Sequence, residues 1–249
     1  SGRERARHVA KYEEIYSALR TGIERGTYPF LSFLPSENSL ADEFGISRNT
    51  VRKALQYLAS QGYVQAMQGR GIQVIFRQYR ASHFLLAGVE SLAEAGRRLG
   101  IEVRTRLLDS RTVTVDSGLA ERSGLPEGAS ALSLTRLRLL DGRPAIVDHN
   151  MFLAEVVPRI PRDAAESSIY AYLENELDVS IVSSSRLATI EPADDDDLRH
   201  LDLGGQNCVG VVESFSFDSA GVPFEYTRSH HAPRTFSFIS TAQRLPAQR

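Results

Sequence analysis

Leu34-Pro35-Ser36-Glu37-Asn38-Ser39-Leu40-Ala41, then Gly45-Ile46-Ser47-Arg48-Asn49-Thr50-Val51-Arg52-Lys53-Ala54-Leu55, then Gln68-Gly69-Arg70-Gly71, decide the fold of the first third of this chain. Ser36, after Pro35, is placed to cap a helix by accepting a backbone N–H that has no intrahelical partner. Leu40, Ala41 and Phe44 share one face of that helix. Gly45 can take the left-handed conformation that ends it, with Ile46 turned inward. Ser47 caps a second helix, in which Val51, Ala54, Leu55 and Leu58 recur at helical spacing. Arg48, Asn49, Thr50, Arg52 and Lys53 are left outside that stripe. Gly62 ends this helix, and residues 63–67 and 72–76 form two strands around the glycine-rich tip. The order is that of a winged helix-turn-helix, a module that lays its second helix in the DNA major groove.

The side chains fit that use. Arginine can pair bidentately with guanine edges, Asn and Thr reach base edges or phosphates, and the free N–H groups of a helix start favour phosphate. Residues 9–76 resemble the DNA-binding domain of the GntR family of bacterial repressors, carried by the Leu-Pro-Ser-Glu run, the Ser47-Arg48-Asn49-Thr50-Val51-Arg52 run and the glycine wing. The resemblance implies DNA contacts from Arg48, Asn49, Thr50 and Arg52, with Gly69 and Arg70 in the wing. It also puts Ser36 and Glu37 near phosphate or against the recognition helix. Many members have arginine where this chain has Asn38, so the operator sequence does not transfer.

Composition sets the frame around this module. The 249 residues carry a net charge of −2 and one cysteine, Cys208, which excludes an internal disulfide and suits a reducing compartment. No apolar run approaches the span of a membrane helix, and no signal peptide precedes the first helix. Ser1-Gly2, without an initiator Met, reads as a remnant of tag cleavage. Residues 1–76 hold 10 Lys/Arg against 7 Asp/Glu, net +3, while the remainder holds 19 against 24, net −5. A modest basic patch on an acidic chain predicts a cytoplasmic regulator with salt-sensitive, site-selective binding to double-stranded DNA as a homodimer.

The periodic pattern lapses at residues 77–82, the expected linker between a DNA-binding domain at 1–76 and a second domain at 83–245. Beyond it, helices are expected at about 89–99, 116–123, 168–177 and 194–202. Strands are expected at about 102–114, 130–140, 144–152, 180–190, 208–218, 223–231 and 236–241. Asp141-Gly142 and Ser219-Ala220-Gly221 each sit between two strands as hairpin turns. Adjacent hairpins with interspersed helices predict an α+β domain built on an antiparallel sheet.

This part resembles the ligand-sensing (UTRA) domain of the HutC subfamily of GntR regulators, which is related in fold to chorismate lyase. The matching residues are Arg136-Leu137-Arg138, Asp141-Gly142-Arg143-Pro144, Ser168-Ile169-Tyr170, Leu173-Glu174 and Pro223-Phe224-Glu225-Tyr226. Further runs, among them residues 147–152 and 226–231, are similar to a branch of that subfamily for which the resemblance implies trehalose 6-phosphate as effector. The residues supply the chemistry. Arg136 and Arg138, two apart on a strand, project from one face, and paired guanidinium groups call for an anion between them. Ser168 and Tyr170 open a helix whose N-terminus attracts negative charge. Asp148 and Glu225 are acceptors suited to sugar hydroxyls, although Glu225 could instead form a surface ion pair with Arg228 or Arg234. His231 offers a switchable donor or acceptor, and Ser91 stands where it can complete the anion site. His230 and His231, adjacent on a strand, face opposite sides and make no metal pair. The Asp194 to Asp197 run reads as a helix start. No cofactor and no metal are expected, and no nucleophile–base pair points to an enzyme. The same build could serve an amino-sugar phosphate, a phosphonate or urocanate. A lyase-like enzyme fused to a DNA-binding domain is the more distant alternative.

Overall fold

The computed structural model describes residues 2–77, 84–85 and 91–239. The chain divides into two compact units, residues 1–81 together with 239–249, and residues 82–238. Beyond Arg77, the expected linker lies outside the described residues.

The first unit runs α1 (Gly2–Glu24), α2 (Glu37–Phe44), α3 (Arg48–Ser60), β1 (Val64–Met67) and β2 (Gly71–Val74). Its helix ends are set locally. Ser36 Oγ accepts from Ser39 N–H, and Ser47 Oγ accepts from Thr50 N–H. Gly45, at φ 59° and ψ 41°, closes α2 in the left-handed region, where a side chain would be strained. Ile15, Leu19 and Ile23 form a stripe along α1, Val51, Ala54 and Leu58 a second along α3, and Leu40 joins them from α2; none is more than 1 % exposed. Burial of the Ile, Leu and Val side chains among them contributes about 1.5–3 kcal/mol each. β1 and β2 pair antiparallel from Val64↔Val74 to Met67↔Gly71. A third piece joins the wing, since Leu34 N–H donates to the Ile72 carbonyl and Val74 N–H to that of Ser32. Buried Tyr63 secures the wing base to α1: its hydroxyl donates to Glu24 Oε1 at 2.6 Å and accepts from Arg20 Nε at 3.0 Å.

The second unit contains β3 (Phe84–Leu85), α4 (Leu92–Leu99), β4 (Val103–Thr114), α5 (Ser117–Ser123), β5 (Ser130–Leu140) and β6 (Arg143–Leu153). It continues with α6 (Arg162–Glu166), α7 (Ile169–Glu176), β7 (Ser183–Pro192), α8 (Asp195–His200), β8 (Cys208–Phe217), β9 (Pro223–His231) and β10 (Phe238–Ile239). Six strands form one antiparallel sheet in the order β4-β5-β6-β9-β8-β7. β10 pairs with β3. Asp141 and Gly142, at φ 48° and 76°, make the mirror-image turn between β5 and β6. The four expected helices are present with shorter bounds. α6, five residues long, had no readable period, and the strand expected from 180 starts at Ser183 and ends at Pro192.

Along β5 and β6 one sheet face changes character. Leu132, Leu134 and Phe152 pack into an apolar cluster with Leu125, Leu173 and Phe224. Further along the same alternation come Arg136, Arg138, Asp148 and Asn150, all at least nine-tenths buried. The other face carries Leu137, Val147, Val209 and Val211, packed against Leu201 and Leu203.

Candidate functional site

The polar stretch of that face floors a cavity. It offers about 160 Å3 to the centres of water-sized molecules, roughly ten times what a single water needs. β5, β6, β8 and β9 supply the floor, and the first turns of α4 and α7 and Arg186 of β7 supply walls. All eight residues expected around an effector, Ser91, Arg136, Arg138, Asp148, Ser168, Tyr170, Glu225 and His231, line it. Leu92, Ile146, Ile169 and Val212 give it apolar surface.

One of those residues takes a role different from the expected one, and for another the alternative of a surface ion pair drops out. The anion between the guanidinium groups is Asp148 itself, which is directly opposite Arg136 in the β5–β6 ladder. Its Oδ2 accepts from Arg138 Nε at 2.7 Å and from Arg136 Nη2 at 3.4 Å, and its Oδ1 accepts from the Ser229 hydroxyl at 2.6 Å. Asp148 is thus an internal counter-ion rather than an open acceptor for a sugar. Burial pushes its carboxyl up, but Arg138, Arg136 and Ser229 outweigh burial and bring it down to about 2. Glu225 is buried, not part of a surface ion pair; Arg228 pairs with Glu191 and Glu213 instead.

The remaining groups form a directed chain. Arg136 Nε donates to Asn150 Oδ1 at 2.8 Å, Asn150 Nδ2 to Thr227 Oγ1 at 2.8 Å, and Thr227 Oγ1 to Glu225 Oε1 at 3.1 Å. Tyr170 closes it, its hydroxyl donating to Glu225 Oε2 at 3.2 Å. Arg138 Nη1 donates to Thr105 Oγ1 and Arg136 Nη1 to the Ala165 carbonyl. Each guanidinium has five N–H donors, so both keep hydrogens beyond those these bonds use. Burial, then Arg138, lowers the pKa of Arg136, while burial raises that of Glu225. Burial holds the His231 imidazole down at about 4, so it is neutral near pH 7, and its Nδ1 is buried without a partner. Ser91 and Ser168 cap α4 and α7, accepting from Glu94 and Ala171 N–H; each hydroxyl keeps its own hydrogen to donate. Counting Arg136, Arg138 and Arg186 against Asp148 and Glu225, the wall carries a formal charge of +1. It can take up an anion, with hydroxyl-bearing groups beside it.

Asn150, Thr227 and Ser229 were not singled out from the sequence. The readable signal was their spacing, two or four residues from Asp148 and Glu225 on strands of period two. Arg186 and Ser214 had no such signal, because only the β9-β8-β7 order brings them to the wall.

In the first unit, Arg48, Asn49, Arg52 and Lys53 are exposed along α3, as are Ser36, Asn38, Gly69 and Arg70. Arg70 lies over the Phe33 ring, 5.3 Å from its centroid. Arg52 forks onto Glu37, with Nη2–Oε2 at 2.9 Å and Nε–Oε1 at 3.3 Å, bracing α2 against α3. Thr50 departs from the expectation. It is 1 % exposed, with its hydroxyl 2.9 Å from Ser47 Oγ, so its side chain closes the start of α3 and does not present itself to a groove.

A capped, arginine-studded helix in a winged unit, joined in one chain to a unit with a cationic cavity, defines a DNA-binding regulator with a small-molecule domain. The family models agree: residues 11–74 match the bacterial regulatory proteins of the gntR family, and residues 98–237 match the UTRA domain. The chain belongs to the GntR-type transcriptional regulators that carry a UTRA domain. It is 34% identical over 240 residues to the HTH-type transcriptional regulator TreR of Bacillus subtilis, covering 95% of this chain and 98% of that one. It is 26% identical to GmuR of the same organism, covering 93% and 97%. Among solved structures, YydK from Bacillus subtilis, described as a possible transcriptional regulator, superposes with a TM-score of 0.77 at 19% identity over 94% of this chain and 99% of that one, a likeness of fold. The effector-binding domain of the B. subtilis trehalose repressor TreR aligns with a TM-score of 0.51 at 28% identity, over 57% and 98%. These relatives are regulators, not enzymes. Among the described residues, no helix is long and apolar enough to cross a membrane.

Proposed function

We propose that this regulator is a cytoplasmic repressor that holds a near-palindromic operator as a homodimer and releases it when a phosphorylated sugar, trehalose 6-phosphate, enters the Arg136–Arg138 cavity. The observation that carries this reading is the buried arginine pair, which lines a cavity with a formal charge of +1 and has more N–H donors than its internal bonds use. A phosphate monoester brings about −1.5 to −2 charges and forked acceptors. Glu225, Thr227 and the neutral His231 suit sugar hydroxyls, and Ile146, Leu92 and Val212 suit the ring faces. The similarity to TreR supports the choice of sugar. Release requires the effector to favour the arrangement of DNA heads that fits the operator less well; a 100-fold difference in affinity corresponds to about 2.7 kcal/mol.

The test is fluorescence anisotropy on an operator selected by the protein from random-sequence DNA. Trehalose 6-phosphate is expected to release the DNA at concentrations where trehalose and inorganic phosphate do not. Arg138→Lys, which keeps a cation beside Asp148 but loses the forked donors, is expected to keep operator binding and weaken the response. Unchanged binding with trehalose 6-phosphate, or release by an amino-sugar phosphate, a phosphonate or urocanate instead, would overturn the assignment. Arg48→Ala, at the exposed start of α3, is expected to weaken operator binding by about 1–3 kcal/mol and leave effector binding intact.

A further inference from the structure

Behind the cavity, on the opposite sheet face, two imidazoles meet. His149 alternates with Asp148 and Asn150 on β6, and His230 alternates with Ser229 and His231 on β9, so both rings project away from the cavity. Their centroids are 5.2 Å apart at an interplanar angle of 73°. The Nε2 atoms of both are buried and have no hydrogen-bond partner, and His230 as a whole is 5 % exposed. Asp194, which opens α8, completes the group: one donor atom from each of His149, His230 and Asp194 lies within 4.8 Å of the other two.

The surroundings match those of a metal ligand set. Asp197, fully buried, accepts from His230 Nδ1 at 3.0 and 3.1 Å, the carboxylate–imidazole pairing that fixes ring and tautomer in metal sites. Arg228, opposite His149 in the ladder, is neutralised by Glu191 and Glu213, so its charge does not close the place to a cation. Zinc bonds of about 2.0–2.2 Å in a tetrahedron hold donor atoms roughly 3.3–3.6 Å apart. Asp194 Oδ1 caps α8, accepting from Asp196 and Asp197 N–H, and the half-exposed side chain leaves Oδ2, 3.9 Å from His230 Nδ1, as the ligand oxygen. Two imidazoles and a carboxylate suit a borderline divalent transition ion, not calcium or magnesium.

We propose that His149, His230 and Asp194 bind a divalent transition metal of the zinc type, with Asp197 orienting His230 and water as fourth ligand. This site is independent of the effector cavity but is carried by the same two central strands. The geometry is missed by a reading of sequence neighbours, because the partner of His230 is not His231 but a residue across the sheet.

The experiment titrates Co2+ into the chelator-treated full chain. One equivalent is expected to give the visible d–d absorption of a tetrahedral site, displaced by Zn2+, with a rise in melting temperature. His149→Gln is expected to abolish the band. Asp194→Asn, whose amide oxygen can still cap α8, is expected to weaken Co2+ binding by about tenfold or more, the loss of an outer-shell partner alone reaching that range. His200→Gln, on the same helix, serves as the control and is expected to bind as the unaltered chain does. If His149→Gln does not fold, the partly exposed Asp194 carries the test. No Co2+ band with the unaltered chain, or a band equally strong and tight in Asp194→Asn, would overturn the proposal.

Discussion

The two units organise their polar chemistry over different distances. In the winged unit, the decisive contacts run between near neighbours: Ser36 to Ser39, Ser47 to Thr50, Gly45 to Ala41. In the sensing unit they span the sheet, from Arg136 to Asn150, Asn150 to Thr227 and Ser229 to Asp148. Reading heads can therefore be specified by short motifs, whereas a buried charged cavity needs correct strand order and register before any of its groups is satisfied. A single lesion should cost far more in the second than in the first.

The largest effect is expected for Asp148→Ala, which leaves two buried guanidinium groups without their carboxylate. Removing one partner of a buried pair costs about 3–5 kcal/mol, to be seen as loss of the sensing unit's urea transition while the winged unit's own transition stays in place. Gly210→Ala comes next. A Cβ there would lie 2.2 Å from Cγ of the Phe236 ring, and overpacking of this kind costs about 1–3 kcal/mol; a lower melting temperature with unchanged DNA affinity per folded molecule is the expected outcome. Ser47→Ala removes the cap of α3 and should cost about 1 kcal/mol, measured by urea unfolding of the winged unit and accompanied by weaker operator binding.

The smallest effect concerns Glu37. Its hydrogen bond from Arg52 holds the carboxyl below its usual range. The pair's contribution is therefore present above the unfolded carboxylate pKa and is lost as the pH falls through the lower, folded value. The pair is exposed and its weight small. The melting temperature of Arg52→Met should lie slightly below that of the unaltered chain at neutral pH and converge with it in acid. A cost from Ser47→Ala exceeding that from Asp148→Ala would break the contrast between the units.

Legibility in the sequence followed the same division. Caps, the Gly45 turn, the core stripes of α2 and α3 and the Asp141-Gly142 hairpin were all readable, because each is decided within four residues. The orientation of Thr50 was not, because its hydroxyl meets Ser47 one turn back, where the cap draws it inward. In the sensing unit, period two put Arg136 with Arg138 and the family likeness supplied the companions, and the cavity gathers all eight. What stayed hidden depended on register. Asp148 becomes the counter-ion because it is opposite Arg136, and the ladder shifts between Arg138 and Leu139. Arg186, Ser214 and the His149–Asp194 grouping likewise require elements far apart in the chain to be laid side by side.

The placement of that counter-ion bears on how such sensors diversify. Arg136, Arg138 and Asp148 are carried by the two neighbouring strands β5 and β6, and the carboxylate offsets part of the arginine charge without help from a guest. The rest of the enclosure comes from helix starts and from strands further along the sheet. Descendants could exchange those outer pieces and acquire a taste for a different metabolite while inheriting an anchor that never has to be rebuilt.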